Sequence, residues 1–224
     1  MEFYHLLNRG VDKRKIFMDD KDRFRFIHDL FEFNDVAPVY AHRCRRLSNV
    51  EDVRRPPIER HKRELLVKIH VFCMMPNHYH LLVSPIVENG VSLFMKKLNG
   101  GYAKYFNEKY ERSGALFQGK YKSILVDTDA HFLYIPYYIH FNPLDIKMYE
   151  WRERGVKNFK IAKEYLQKYR WSSHLDYLGI KNFPSITQRD TLLDFFEGES
   201  KYKKSSINML KDFSVENIQD IILE

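Results

Sequence analysis

Two histidines lie two residues apart at the start of an apolar run near the middle of the chain. His78 and His80 flank Tyr79, and Leu81 and Leu82 follow them. Side chains at i and i+2 of a β-strand point to the same face, so a strand here would project both imidazoles side by side and send Tyr79 to the other face. Two neighbouring imidazoles on a rigid strand are half of a metal site.

A second set of polar residues follows later in the chain. Tyr138 and Asn142 are four residues apart, which would place them on one face of a helix. A histidine pair, a tyrosine and a carboxamide together suggest metal-assisted attack by the tyrosine on a phosphate. Tyr134 and Tyr137 compete with Tyr138 as the nucleophile, and periodicity alone does not separate Tyr134 from Tyr138 because both lie on the same helix face.

Composition and charge permit this chemistry. The chain has 224 residues, 37 Lys and Arg against 30 Asp and Glu, and a net charge of +7. Such a basic balance favours a nucleic-acid partner. The 15 tyrosines and 17 phenylalanines suit base stacking as well as core packing. Two widely spaced cysteines, no signal-like N-terminus and no long apolar run predict a soluble cytoplasmic protein without a membrane segment.

The elements that must position these residues follow a recognisable order. Strands are predicted near 3–8, 67–75, 78–83 and 121–127, with helices that start after Asp19, at Ser92 and at Thr128 or Asp129. The order β-α-β-β-α-β is the split βαβ arrangement of a ferredoxin-like α+β fold. The sheet would keep one open face, across which an added helix could carry Tyr138 to the histidines.

Two further segments flank this core. Residues 36–66 hold eight Lys or Arg and four Asp or Glu, with three prolines and no clean period, which predicts an inserted basic arm that adds DNA affinity without reading bases. Residues 146–224 read as a mostly helical extension. We therefore expect one nuclease-like domain over 1–145, with the insertion, and an extension whose role the sequence leaves open.

The motifs also resemble a known family. They run from His5-Leu6-Leu7-Asn8-Arg9-Gly10, through Met75-Pro76-Asn77-His78-Tyr79-His80, to Gly114-Ala115-Leu116-Phe117-Gln118-Gly119-Lys120-Tyr121, Tyr138–Pro143 and Trp171-Ser172-Ser173. This ordered set resembles the IS200-like Y1 transposases of the HUH endonuclease superfamily, and is most similar to their REP-associated tyrosine transposase branch. The resemblance spans about residues 3–178, and the long basic insertion departs from it.

The resemblance implies a metal-dependent enzyme on single-stranded DNA, with hairpin-associated sites and a 5′-phosphotyrosine intermediate. It implies that Tyr138 is the nucleophile, that His78, His80 and Asn142 hold the metal, and that the metal is Mg²⁺ or Mn²⁺. Both a monomer and a homodimer stay open. A catalytically silent DNA-binding module and a water-using phosphodiester hydrolase are the alternatives.

Several cations are candidates for DNA phosphate contacts. Lys120 and Lys122 flank Tyr121, and Arg9 ends the first strand. Three lysines of the second helix join them with a weaker case, because lysines on a helix face are usually only solvated. These are Lys96, Lys97 and Lys104.

Overall fold

One antiparallel sheet organises the molecule. The computed structural model describes residues 1–38, 63–148 and 150–212. Within them, the strands are β1 (Phe3–Arg9), β2 (Val67–Met75), β3 (His78–Pro85) and β4 (Lys122–Val126), in the spatial order β2-β3-β1-β4. Every neighbouring pair is antiparallel. This order, with a helix between β1 and β2 and another between β3 and β4, confirms the expected α+β, ferredoxin-like arrangement.

Two helices cover one face of the sheet. The first, α1 (Asp20–Glu32), begins at Asp19, which forms a capping box with Asp22. The second, α2 (Gly90–Lys109), packs on α1 and on the same sheet face. Their apolar residues meet Leu6, Tyr79 and the other side chains that alternation sends to this side. Tyr79 therefore serves this core and takes no part in the histidine face.

The opposite face is covered by the helix that carries the tyrosines. Helix α3 (Asp129–Phe141) begins at Thr128, whose side chain accepts from His131 N, and continues through Pro136 to Asn142. Its residues Ile135 and Ile139 pack with Val71, Leu82 and the other apolar side chains of that sheet face. The added helix therefore lies across this sheet face, as expected, and His78 and His80 on that face are buried.

The C-terminal residues extend the hydrophobic core between the sheet and α3, which is the second core of the molecule. Further helices follow at α4 (Leu144–Lys147), α5 (Trp151–Arg154), α6 (Phe159–Lys168), α7 (His174–Tyr177), α8 (Asp190–Phe195) and α9 (Glu199–Asp212). Ser172 bridges Cys73 at the edge of the sheet, beside a backbone bond from Met74 N to Trp171 O. The extension thus closes one sheet edge and packs against α3, which makes it a continuation of the same core.

A buried polar network joins α3 to this extension. The Tyr202 hydroxyl lies 2.7 Å from His140 Nδ1 and 3.0 Å from His174 Nδ1. His140 Nε2 lies 2.7 Å from Ser173 Oγ, and Ser173 Oγ accepts from Phe72 N. Burial lowers the pKa of His174 to about 4 and lowers that of His140 well below its usual range, with His174 as a second cause. Both rings are therefore neutral at physiological pH.

This network predicts that acid destabilises the protein. Unfolded histidine has a pKa near ~6.5. Below that pH, His174 is protonated in the unfolded chain, whereas in the folded protein it stays neutral until the pH falls to about 4. The stabilising contribution is therefore present above ~6.5 and is lost as the pH falls toward ~4. Urea unfolding at neutral and mildly acidic pH measures the loss. His174→Asn, which keeps a polar group near the Nδ1 position, should make the free energy of unfolding depend less on pH. If that pH dependence does not change, His174 is not the group that causes it.

Some expectations differ from the structure. Helix α2 begins at Gly90 after Asn89, two residues before the predicted start at Ser92, and Leu93 of its predicted apolar stripe is 44% exposed. Of the predicted insertion 36–66, residues 39–62 lie outside the described part. Its two ends meet, since Val36 N donates to Glu64 O at 2.8 Å. No helix among the described residues is long and apolar enough to cross a membrane.

Candidate active site

The two histidines lie side by side on the middle of the sheet, as strand alternation requires. His80 of β3 pairs with Leu7 of β1 and Cys73 of β2, and His78 pairs with Arg9 and Met75. Their ring centroids are 4.9 Å apart. His80 is fully buried and His78 is 6% exposed. Both therefore lie beneath the covering helix, at the end of β3 where the chain enters the strand.

Each imidazole is held through its Nδ1 atom. His78 Nδ1 lies 2.7 Å from Asn77 Oδ1, and His80 Nδ1 lies 2.9 Å from His5 Nε2. An Asn carbonyl oxygen only accepts, so His78 carries its proton on Nδ1 in this contact. The same tautomer of His80 lets it donate to His5. In that state both Nε2 atoms are ligand atoms, and Asn77 and His5 fix the ring orientations.

Tyr138 lies against His80 and against His5 of the neighbouring strand. Its ring centroid is 5.8 Å from that of His80 and 5.8 Å from that of His5, both nearly perpendicular. The side chain is fully buried. Tyr137 points elsewhere, since its ring stacks on Tyr202 at 5.5 Å in the second core. Packing thus turns Tyr137 away from the sheet and brings Tyr138 to His80 and His5.

An arginine beyond the tyrosine helix contacts the tyrosine oxygen. Arg152 Nη1 donates to Tyr138 Oη at 3.0 Å, and the guanidinium carbon lies 4.8 Å from the centre of the tyrosine ring. Asp145 fixes this arginine with bonds of 2.9 Å to Nε and 2.6 Å to Nη2. The carboxylate also accepts from Trp151 Nε1 at 2.6 Å. The hydroxyl expected to attack phosphate therefore sits beside a fixed positive charge.

Asn142 belongs to the same network. Its Oδ1 accepts from Arg152 Nη2 at 3.1 Å, and its Nδ2 donates to the Tyr138 carbonyl oxygen at 3.0 Å. The side chain is fully buried. Asn142 is thus beside Tyr138, as its position on the helix predicts, while the amide oxygen proposed as a metal ligand is in use as an acceptor for Arg152.

The predicted DNA contacts divide into two groups, of which the first borders the histidine face. Arg9 is directly opposite His78 in the sheet, and Lys122 lies on the other side of β1, opposite Leu7. Lys120 is exposed just before β4. Arg9 thus lies in the cross-strand row of His78, and Lys122 lies in the row of His80.

The second group lies on α2, which packs on the other face of the sheet from the histidines. Lys96 is exposed, and Lys104 is an exposed partner of Glu108 at 3.9 Å. Lys97 instead donates to the backbone carbonyls of Asp35 at 2.5 Å and Ala37 at 2.9 Å, so it secures the chain after α1. The structure therefore does not bring these three lysines to the candidate active site.

Sequence reasoning missed three residues of this site. His5 is on the face of β1 that alternation shares with Leu7, but a lone histidine in an apolar strand gives no signal by itself. Asp145 follows Asn142 by three residues and Tyr138 by seven, so it continues the helix face that was recognised. Arg152 belongs to a separate short helix, and no local pattern connects it to Tyr138.

Among the described residues, no group of three His, Cys, Asp or Glu side chains could hold a metal ion. A site here would therefore combine the two imidazoles with an amide oxygen or with water and substrate oxygens. Such a mixed set suits Mg²⁺ or Mn²⁺, because Mg²⁺ usually keeps several waters. The donor atoms present fit a metal site whose remaining positions are filled by water and by oxygens of the substrate.

The positioning of His80 gives a testable expectation. Replacing His5 with Phe removes the acceptor for His80 Nδ1 and should lower Mn²⁺ affinity by about 10- to 100-fold. Titration calorimetry with Mn²⁺ measures this change. His5→Gln, which can place an amide oxygen near the lost Nε2, should recover part of the affinity. Equal affinities in the Phe variant and the unaltered protein would remove His5 from the metal site.

Comparison with known proteins follows the same residues. A search of curated proteins found no match. A solved structure described as a REP-associated tyrosine transposase bound to a REP hairpin aligns with 81% of this chain and 82% of its own, at 9% identity and a TM-score of 0.46. The family model described as "Transposase IS200 like" matches residues 39–142. That segment contains His78, His80, Tyr138 and Asn142, so the part of the chain that carries these residues is similar to the IS200-like transposases.

Proposed function

We propose that this protein cuts and rejoins single-stranded DNA, with Tyr138 as the nucleophile and a divalent metal held by His78 and His80. The observation that carries the proposal is the contact between Tyr138 and His80, with ring centroids 5.8 Å apart, inside a segment that matches the family. The chain separates these residues widely, and only the packing of α3 on the sheet joins them. The expected substrate is DNA beside a hairpin, as the sequence resemblance implies.

The reaction is a transesterification, in which one P–O bond forms as another breaks. Tyr138 Oη forms a bond to phosphorus while the bond from phosphorus to the 3′-oxygen breaks. The phenolic proton is lost and the departing oxygen gains one, so the products are a 5′-phosphotyrosine and a free 3′-OH. A second 3′-OH reverses the step. No cosubstrate is consumed, because the covalent link keeps the energy of the phosphodiester.

Each residue has a separate task in this reaction. His78 and His80, with Asn142 as a candidate third donor, would hold Mg²⁺ or Mn²⁺, which polarises the phosphate and offsets its charge. Asn77 and His5 orient the two imidazoles. Arg9, Lys120 and Lys122 would position the DNA backbone. Lys96 and Lys104 remain candidates for a longer path of DNA around the other face.

The burial of Tyr138 adds a requirement. The side chain is fully buried, whereas the Arg152 side chain beside it is 16% exposed. A phosphate must therefore reach the hydroxyl through a local opening near Arg152 or along the histidine face. The helices that cover Tyr138 must therefore move apart locally when DNA binds. This condition is the same for a monomer and for a homodimer.

Trapping a covalent adduct tests the proposal. The probe is a pool of single-stranded DNA with a stem-loop, randomised flanks and a fluorophore at the 3′ end. The label must be at that end because the fragment on the 3′ side of the cut is the one that becomes joined to Tyr138, through its 5′-phosphate. With Mn²⁺ present, we expect a fluorescent protein band on a denaturing gel. Cleavage without an adduct would favour the hydrolase, and binding without cleavage would favour the silent DNA-binding module.

A further inference from the structure

We propose that Arg152 is a catalytic residue, which stabilises the negative charge on the Tyr138 oxygen in both directions of strand transfer. This inference rests on the proposed function. Arg152 lies outside the segment matched by the family model, which ends at residue 142. The geometry that carries it is the 3.0 Å bond from Nη1 to the tyrosine oxygen, made by a guanidinium that a carboxylate holds in place.

The chemistry of a buried phenol requires such a group. When Tyr138 attacks, negative charge passes through its oxygen, and when DNA is rejoined the same oxygen leaves. The side chain is fully buried, and a charge without a partner is costly in such a place. A guanidinium that already donates to this oxygen offsets that cost, because charge-assisted hydrogen bonds are the stronger ones and act at full strength away from water.

Arg152 is also held in advance of the reaction. Asp145 binds Nε and Nη2 at 2.9 and 2.6 Å, and Trp151 Nε1 donates to the same carboxylate at 2.6 Å. Asn142 accepts from Nη2 at 3.1 Å. These contacts determine where Nη1 points, so the donor does not have to reorganise as charge develops. Preorganised donors of this kind account for much of the rate enhancement in other enzymes.

Two titratable groups also lie against the ring of Tyr138. The rings of His5 and His80 contact the tyrosine ring from the sheet side, and Arg152 approaches from the side of α5. His5 and His80 are hydrogen-bonded to each other, and His80 is the proposed metal ligand of the two. Arg152 donates its hydrogen bond directly to the reacting oxygen.

The test compares Arg152→Ala with Arg154→Ala. Arg154 is on the same short helix, is 61% exposed and pairs with Glu150, so it controls for a lost charge on α5. Single-turnover cleavage and rejoining of the 3′-labelled DNA pool should each slow by about 100-fold or more in Arg152→Ala, the loss expected for one preorganised donor. DNA affinity should be retained. Arg154→Ala should keep the unaltered rates.

Chemical rescue separates a catalytic role from a structural one. Low concentrations of guanidinium chloride, well below those that unfold the protein, should raise the rate of Arg152→Ala and leave Arg154→Ala unchanged. If Arg152→Ala does not fold, Asp145→Asn decides, because it keeps the guanidinium but removes its anchor and should slow both steps while binding DNA.

Two outcomes would overturn the inference. In one, Arg152→Ala reacts as fast as Arg154→Ala or faster, which would mean that the arginine restrains the tyrosine. In the other, Arg152→Ala fails to fold and Asp145→Asn reacts at the unaltered rate. An unaltered protein that forms no adduct would instead count against the proposed function, so the two failures are distinguishable.

Discussion

Tyr138→Phe should abolish the covalent adduct and strand cleavage while DNA binding is retained. The substitution removes one oxygen, which is the proposed nucleophile. It also removes the acceptor for Arg152 Nη1, so the free energy of unfolding should fall by about 1.5–3 kcal/mol, the range for hydrogen bonds to charged groups. The denaturing gel with 3′-labelled DNA reports the adduct, a filter-binding titration reports affinity, and urea unfolding reports stability.

Tyr134→Phe is the matched control for this experiment. Tyr134 is one helical turn before Tyr138 and half-buried against the second core. It should form the adduct at the unaltered rate. If Tyr138→Phe still forms an adduct and Tyr134→Phe does not, Tyr134 is the nucleophile, and the proximity of Tyr138 to His80 has a structural explanation only.

His78→Asn and His80→Asn should each remove Mn²⁺ binding and lower cleavage by about 1000-fold, if the ion contributes about 4 kcal/mol to the transition state. Asparagine is chosen because it keeps a polar group near Nδ1, the atom that bonds to His5 or Asn77, and deletes Nε2. Alanine would leave a cavity at fully buried His80 and an orphaned partner at His5. Titration calorimetry with Mn²⁺ and single-turnover cleavage are the measurements.

His70→Asn is the control for losing a buried histidine on the same sheet. His70 Nε2 lies 2.8 Å from Ser84 Oγ, and Nδ1 lies 3.2 Å from Gln188 O, so its contacts are structural. Its variant should lose some stability and keep the unaltered Mn²⁺ affinity. Metal affinity that is unchanged in both His78→Asn and His80→Asn would show that these histidines serve only the core.

The structure shows that replacing His78 or His80 has a cost in stability. An open face would let His78 and His80 be replaced at little cost, but α3 and the C-terminal helices cover it. Local periodicity correctly predicts that both rings share a face. It carries no information about what packs there, because residues 146–212 reach that face through contacts remote in sequence. The predicted boundary at residue 145 stays a prediction.

The candidate DNA contacts also show what the sequence reveals and what needs the structure. Basic residues are easy to recognise in a sequence, but their partners are not. Lys97 looked equivalent to Lys96 and Lys104, yet its ammonium group binds the backbone carbonyls that follow α1. Arg9 and Lys122 stay candidates because strand register places Arg9 in the row of His78 and Lys122 in the row of His80. A charge becomes a binding candidate only when its neighbours are known.

The sequence by itself determined the order of strands and helices, the shared face of His78 and His80, and the helix spacing of Tyr138 and Asn142. These follow from the two-residue and 3.6-residue periods of the backbone, which act over a few residues. Tertiary structure alone decided that Tyr138 lies against His80, that His5 orients His80, and that Arg152 reaches the tyrosine oxygen. Those contacts join distant segments, and they form because burying the apolar faces of α3 and the extension brings the segments together.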